Sequence, residues 1–389
     1  NRMKNQNSDV AVSVKPNWDF PMVAVAIVLA FHWRAILGMN ATGFNACADG
    51  WDIEHGAALI HSWRDTLRWW HGGWIHLTLP YYRPIASYAM CADLMLAHRG
   101  LYWAPVAITG LLWCGSLILS GHLAARITGQ PWTAYAVIPA GALYHCKLFA
   151  DNADWLIYWP MQDSELCILF FLGAMLAFDL WAEQGRARFV ALAVVLSGAS
   201  AFTKEIGYFL PFALLILALY RREFQWRFVG LLAACSVVAS AAAVIKFACV
   251  PFPYAPGGVN ILTVIRSCAL MEEVRELRMF GFAEFSSRSF WEPGLFMTAV
   301  IQLGFFVALA FTMWRAKKTA PWVCAGLFCV LSLLAVPNFV PSGEYWVLPI
   351  CLSGPLIGLV CVSLRKSAAW CRSRHRLLRW TSTVDLSIG

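Results

Sequence analysis

Apolar runs of about twenty residues recur along this chain and leave it few ways to fold. A bilayer core of about 30 Å needs roughly 20 apolar residues at about 1.5 Å of helical rise each. Runs of that kind, or close to it, stand at 20–39, 101–125, 132–149, 164–182, 189–202, 206–220, 228–250, 293–314, 321–339 and 345–364. Of the 389 residues, 60% are hydrophobic and only 13% are charged. A soluble globular domain carries about 25% charged residues, so disorder, a coiled coil and an ordinary cytosolic enzyme are excluded. The sequence predicts an all-α, polytopic transmembrane helix bundle of about ten spans.

The formal net charge is +8, and the placement of the basic residues sets the expected sides. Arg126, the pair Arg186 and Arg188, the run Arg221, Arg222 and Arg227, the run Arg315, Lys317 and Lys318, and the tail from Arg365 to Arg379 mark cytoplasmic loops. The stretch 189–220 is basic at both flanks. As one helix it would be about 48 Å long, too much for a single span. It therefore predicts a two-helix hairpin that turns at Thr203-Lys204-Glu205. Both termini then face the cytoplasm, and the expected location is a bacterial cytoplasmic (inner) membrane.

The expected organisation is a cytoplasmic leader at 1–19, a membrane module at 20–220 with outer loops 40–100 and 150–163, a second module at 221–364 with outer loop 251–292, and a basic tail at 365–389. The first apolar run reads as an anchor rather than a cleaved signal. Segment 83–98 holds Asp93 and His98 and reads as a juxtamembrane or re-entrant helix. The tail suits anionic membrane lipid, and no nucleic-acid partner is expected. Thirteen cysteines without a CxxC pair read as small apolar residues of buried helices.

Several polar residues stand where apolar ones would be expected. Asp49, Asp52 and Glu54 follow the first run closely. Charge beside lipid is costly unless paired or hydrated, so these acids suggest a general base, alone or with a metal. The plainer role is a cap for a helix starting near Glu54. His55, His61, His71 and His76 have no standard zinc spacing. Trp63, Trp69, Trp70 and Trp74 suit an interfacial belt.

Pro84 suits the first turn of a helix and places Arg83 at that helix's positive end, a local anion site suited to phosphate; a simple interfacial anchor is the alternative. Asp163 and Glu165 open an apolar run, where the helix macrodipole would stabilise them. Lys204-Glu205 is either an internal ion pair or part of a site. A buried pair is an expensive way to stabilise a fold, which favours the site.

The order of these motifs resembles that of GT-C-type glycosyltransferases, multi-span enzymes that use polyprenyl-phosphate sugars, and above all the protein O-mannosyltransferase and aminoarabinose-transferase-like branch. The matching elements are Asp49 and Asp52, then Tyr82-Arg83-Pro84-Ile85, Asp154-Trp155 onward to Trp159, Asp163-Ser164-Glu165-Leu166, Ala201-Phe202-Thr203-Lys204-Glu205 and Leu210-Pro211, all within about residues 20–220. The resemblance implies a GT-C-like catalytic module there. It implies transfer of a sugar, with inversion, from a lipid-linked donor to an acceptor hydroxyl of a protein, lipid or glycan on the outer (periplasmic or lumenal) face.

Asp52 or Asp49 would be the general base, and Arg83 and Lys204 would neutralise the donor phosphate. Glu205 would orient Lys204, with Glu165 in support. Asp154 and Asp163 would complete the cavity wall or hold a divalent ion, Mg or Mn. The alternative is a non-catalytic GT-C-like subunit or scaffold of a larger membrane complex.

Overall fold

The computed structural model describes residues 19–45, 48–76, 81–136, 162–220 and 226–250, with the isolated positions Val362 and Arg365. Among the described residues the regular elements are all helical. They are α1 (Asp19–Gly38), α2 (Ala41–Asn45), α3 (Ala48–Ala57), α4 (Pro84–His98), α5 (Trp103–Thr128), α6 (Gln162–Gln184), α7 (Ala187–Thr203), α8 (Leu210–Tyr220) and α9 (Trp226–Cys249). Short 3₁₀ turns stand at Asp65–Trp70, Trp74–His76, Pro131–Ala136 and Glu205–Phe209.

The expected ten-span, GT-C-like bundle is corrected here. Among the described residues three helices are long and apolar enough to cross a membrane: Trp103–Thr128, Gln162–Gln184 and Trp226–Lys246. Expected spans 189–202 and 206–220 are helical, but α7 has 17 residues and α8 has 11. At about 1.5 Å per residue these reach about 26 and 17 Å, short of a core of about 30 Å. The first expected span is represented by the shorter apolar stretch Asp19–Ala30 of α1. Of 132–149, only the turn Pro131–Ala136 is described; 293–314, 321–339 and all of 345–364 but Val362 lie outside the described residues.

The overcount has a physical cause, because the length of an apolar run is not the length of a helix. Lys204 has extended backbone (φ −157°, ψ 156°) and ends α7 inside such a run. Segment 83–98 forms the 15-residue α4 and is not among the candidate spans.

Contacts along the helices give their directions. Gly115 of α5 faces Leu169 of α6, and Leu119 faces Gly173. Further on, Arg126 binds Asp179 and Glu183, the latter at 2.6 Å. Partner numbers rise together, so α5 and α6 are parallel. Helix α7 runs back along α6 after a turn at Gly185, for Cys167 meets Ser200 while Gly173 meets Leu196. Helix α9 runs parallel to α7: Gly198 meets Val238, and Glu205, just past α7, meets Lys246.

Small residues thus sit at the helix crossings, as in lipid, where close van der Waals packing rather than apolar burial holds helices together. Between them the buried rings of Trp113, Phe171 and Phe178 form the main core. One end of the bundle holds Arg126, Arg186, Arg188 and the start of α9, where Arg227 lies over Trp181 and Phe228. The other end gathers the starts of α4 and α6 with the ends of α7 and α9, and α4 lies against α5, α6 and α7 there.

Candidate functional site

Arg83 is the hub of that second end. It precedes Pro84, the first residue of α4, and is only 3% exposed. Its guanidinium lies 4.3 Å from the centre of the Tyr81 ring and 5.2 Å from that of Trp74, a cation–π cradle. The Trp74 N–H donates to the Tyr81 carbonyl at 2.9 Å and ties the cradle together. Beneath Trp74, Gly56 of α3 packs against the Ile75 carbonyl so closely that a Cβ would fall 2.0 Å from its oxygen.

The Arg83 fork then donates to two carboxylates. Nη1 meets Asp163 Oδ2 at 2.6 Å, while Nε and Nη2 meet Glu205 Oε2 at 3.2 and 3.1 Å. A planar fork with several fixed donors suits such double recognition in a way a lysine cannot.

Two lysines extend the network. Lys204, fully buried, donates to Asp163 Oδ1 at 3.3 Å and to Ser164 Oγ, and its Nζ lies 3.2 Å from Asp163 Oδ2. Lys246 of α9 donates to Glu205 Oε1 at 3.0 Å. The order is Lys204–Asp163–Arg83–Glu205–Lys246. Three cations and two carboxylates give a formal charge of +1 for these five residues. Burying ions is tolerable only when they are paired and hydrogen-bonded, which this chain of contacts achieves.

Beside it lie acceptors without donors. Both carboxyl oxygens of the fully buried Glu165, on the same first turn of α6, lack a hydrogen-bond partner among the described residues. So do Asp93 Oδ2 on α4 and Gln162 Oε1 on α6. Burial pushes the Asp93 carboxyl up to about 7, opposed by a hydrogen bond from Gln162.

Four residues singled out from the sequence (Arg83, Asp163, Lys204 and Glu205) therefore meet, and Glu165 lies next to them. Glu205 does not orient Lys204, its neighbour in the chain. Extended backbone at Lys204 sends successive side chains to opposite faces, so Glu205 turns instead to Arg83 and Lys246. Asp49 and Asp52 are on α3, but their side chains, like the whole of Asp154, lie outside the described residues. Glu54 is at the surface, 3.3 Å from His98 Nε2.

Lys246 went unnoticed in the sequence. Its signal was a lone cation near the end of an otherwise apolar run, which calls for a partner.

The expected divalent ion, Mg or Mn, is corrected. Among the described residues no group of three or more His, Cys, Asp or Glu side chains is gathered to hold a metal. Asp163 instead accepts hydrogen bonds from Arg83 and Lys204.

Close approach of the chain builds this corner. A Cβ on Gly207 would fall 2.3 Å from the Ser200 carbonyl carbon and 2.4 Å from its oxygen. Backbone cannot yield as a flexible side chain does, so Gly207→Ala should push the 205–209 turn off α7. Overpacking costs about 1–3 kcal/mol. Thermal unfolding of the purified protein should show a loss in that range, and an unchanged melting temperature would contradict the tight contact.

No family model, curated protein or solved structure matches this chain.

Proposed function

We propose that this chain is a membrane transferase that moves a sugar, with inversion, from a polyprenyl-phosphate donor to an acceptor hydroxyl. The observation that supports it is the buried Arg83–Asp163–Lys204–Glu205–Lys246 network, which gathers three cations at one end of the bundle. The opposite end carries Arg126, Arg186, Arg188 and Arg227. Lys and Arg favour cytoplasmic loops, so the network would face the outer side of a bacterial cytoplasmic membrane, with both termini inside.

In the reaction the acceptor oxygen bonds to the anomeric carbon. The bond from that carbon to the phosphate oxygen breaks, and the lipid phosphate leaves with the electron pair. Asp52 or Asp49 takes the hydroxyl proton. Arg83, Lys204 and Lys246 offset the charge on the departing phosphate, an electrostatic role that grows in a site sheltered from water. The lipid anchor keeps the donor beside the acceptor and lowers the entropic part of the barrier. Asp163 and Glu205 hold the three cations in position.

A non-catalytic subunit of a membrane complex is the second reading. The pairing of each network cation with a carboxylate favours it, since such a network also locks helices in register. Reconstituted protein supplied with a polyprenyl-phosphate sugar and a mixture of acceptors discriminates between the two. A transferase releases free polyprenyl phosphate, and Lys204→Gln lowers the rate about 10²–10³-fold while the protein remains folded. Wild-type protein that releases none, with its fold verified, leaves the subunit reading in place.

A further inference from the structure

Helix α4 is held to the start of α6 at two points. Arg83, just before α4, donates to Asp163 at 2.6 Å. Ten residues on, Asp93 of α4 accepts a hydrogen bond from the side-chain amide of Gln162, the neighbour of Asp163 in the chain. Asp93 is 1% exposed and Gln162 2%, and the charge network uses neither.

One atom of each lacks a partner. Asp93 Oδ2 and Gln162 Oε1 are two acceptors without a donor among the described residues. Leaving a buried acceptor bare costs about 1–3 kcal/mol. A single proton satisfies both. On Oδ2 it makes a carboxylic acid, which donates to Gln162 Oε1 while the other carboxyl oxygen accepts from the Gln162 amide. The two side chains then close a ring of two hydrogen bonds, and no charge is buried. Without that proton both acceptors are bare and a full charge sits away from water.

Charged groups on the elements around α4 are engaged elsewhere. Asp163 accepts from Arg83 and Lys204, Glu54 of α3 lies against His98, and Asp65 accepts from Ser62. Arg68 is at the surface, and Arg126 of α5 binds Asp179 at the far end of the bundle. Glu165, one turn along α6 from Gln162, has no hydrogen-bond partner among the described residues and brings Asp93 no donor.

We infer that Asp93 and Gln162 form a proton-operated clasp between α4 and α6, shut as an acid–amide pair and released when the proton leaves. Gln162 is thus a positioning residue for the first turn of α6, which carries Asp163. Burial carries the Asp93 carboxyl up to about 7, so the clasp is tightest in acid and loosens as pH rises toward neutrality. The device is independent of the reaction proposed above and serves a subunit as well as a transferase.

Infrared spectroscopy and hydrogen–deuterium exchange of the full chain in one detergent test it. In acid a C=O stretch of a protonated carboxyl should be present. It should fade as pH rises past about 7, be missing from Asp93→Asn, and remain in Glu165→Gln. Gln162→Met should move it to higher frequency, as for a carboxyl whose O–H has no acceptor.

Amide exchange in α4 and the first turns of α6 should quicken in the wild type relative to Asp93→Asn by up to about tenfold per pH unit below neutrality. In that variant the asparagine amide donates to Gln162 Oε1 at any pH, so the clasp stays shut. Comparison at equal pH also cancels the ordinary acceleration of exchange by base. No Asp93 carboxyl band, a band that Gln162→Met leaves unshifted, or a constant ratio of the two exchange rates would each overturn the proposal. The band and its loss are read on the wild type, so they decide the matter even if Gln162→Met fails to fold.

Discussion

Replacing Arg83 with Met should unfold this protein more readily than any other single change in the charge network. Among the described residues Arg83 joins its two halves. Without it, Asp163 retains Lys204 and Glu205 retains Lys246, yet each carboxylate loses a donor it shares at close range. Asp163 is only 1% exposed, so bulk solvent does not reach it to replace that donor. Breaking a buried ion pair from one side costs about 3–5 kcal/mol.

Arg83→Lys should recover little of the loss. An ammonium cannot span both carboxylates as the fork does, nor spread as a flat group over the neighbouring Tyr81 and Trp74 rings. The double variant Arg83→Met with Glu205→Gln should be less destabilised than the sum of the two singles, because the charge stranded by the first change is gone. Chemical denaturation of the four proteins in one detergent measures that coupling. Additive losses would mean that Arg83 and Glu205 do not interact in the membrane-embedded protein.

Acidity provides the second large effect. Folding carries the Asp93 carboxyl from about 3.9, the value of an exposed Asp, to about 7. Between those values the folded chain binds more protons than the unfolded one. Stability therefore falls as pH rises through that window, and the penalty is complete above about pH 7. With about 1.4 kcal/mol per pH unit, the loss is on the order of 4 kcal/mol.

Asp93→Asn keeps an acceptor for Gln162 but has no charge to bury. The variant should match the wild type near pH 4, exceed it near pH 8, and show a flatter melting profile in between. Wild-type and variant profiles that run parallel across this range would show that Asp93 does not titrate there. Asp93 Oδ2 and Gln162 Oε1, without partners among the described residues, fit a carboxyl that keeps its proton through much of the window.

Apolar content and the spacing of basic residues make a membrane-crossing helical protein plain, and helices α5, α6 and α9 stand where the apolar runs predict them. Their ends are less legible. A helix stops where its caps and its packing stop it, and residues such as Lys204 end one within a stretch that remains apolar on both sides. The site was legible as a set of charges in the wrong company: Arg83, Asp163, Lys204 and Glu205 all border apolar segments. Lys246 had the same signal and was hidden only by the strength of the run around it.

Amino-acid order alone settled which residues had to find partners, because a charge beside lipid cannot stay bare. It could not settle which partners they found. Lys204 and Glu205 are neighbours in the chain and face apart, while Arg83 reaches Glu205 across 122 positions. That choice belongs to the packing of α4, α6, α7 and α9 at one end of the bundle, since pairing depends on separations of about 3 Å in space that distance along the chain does not encode.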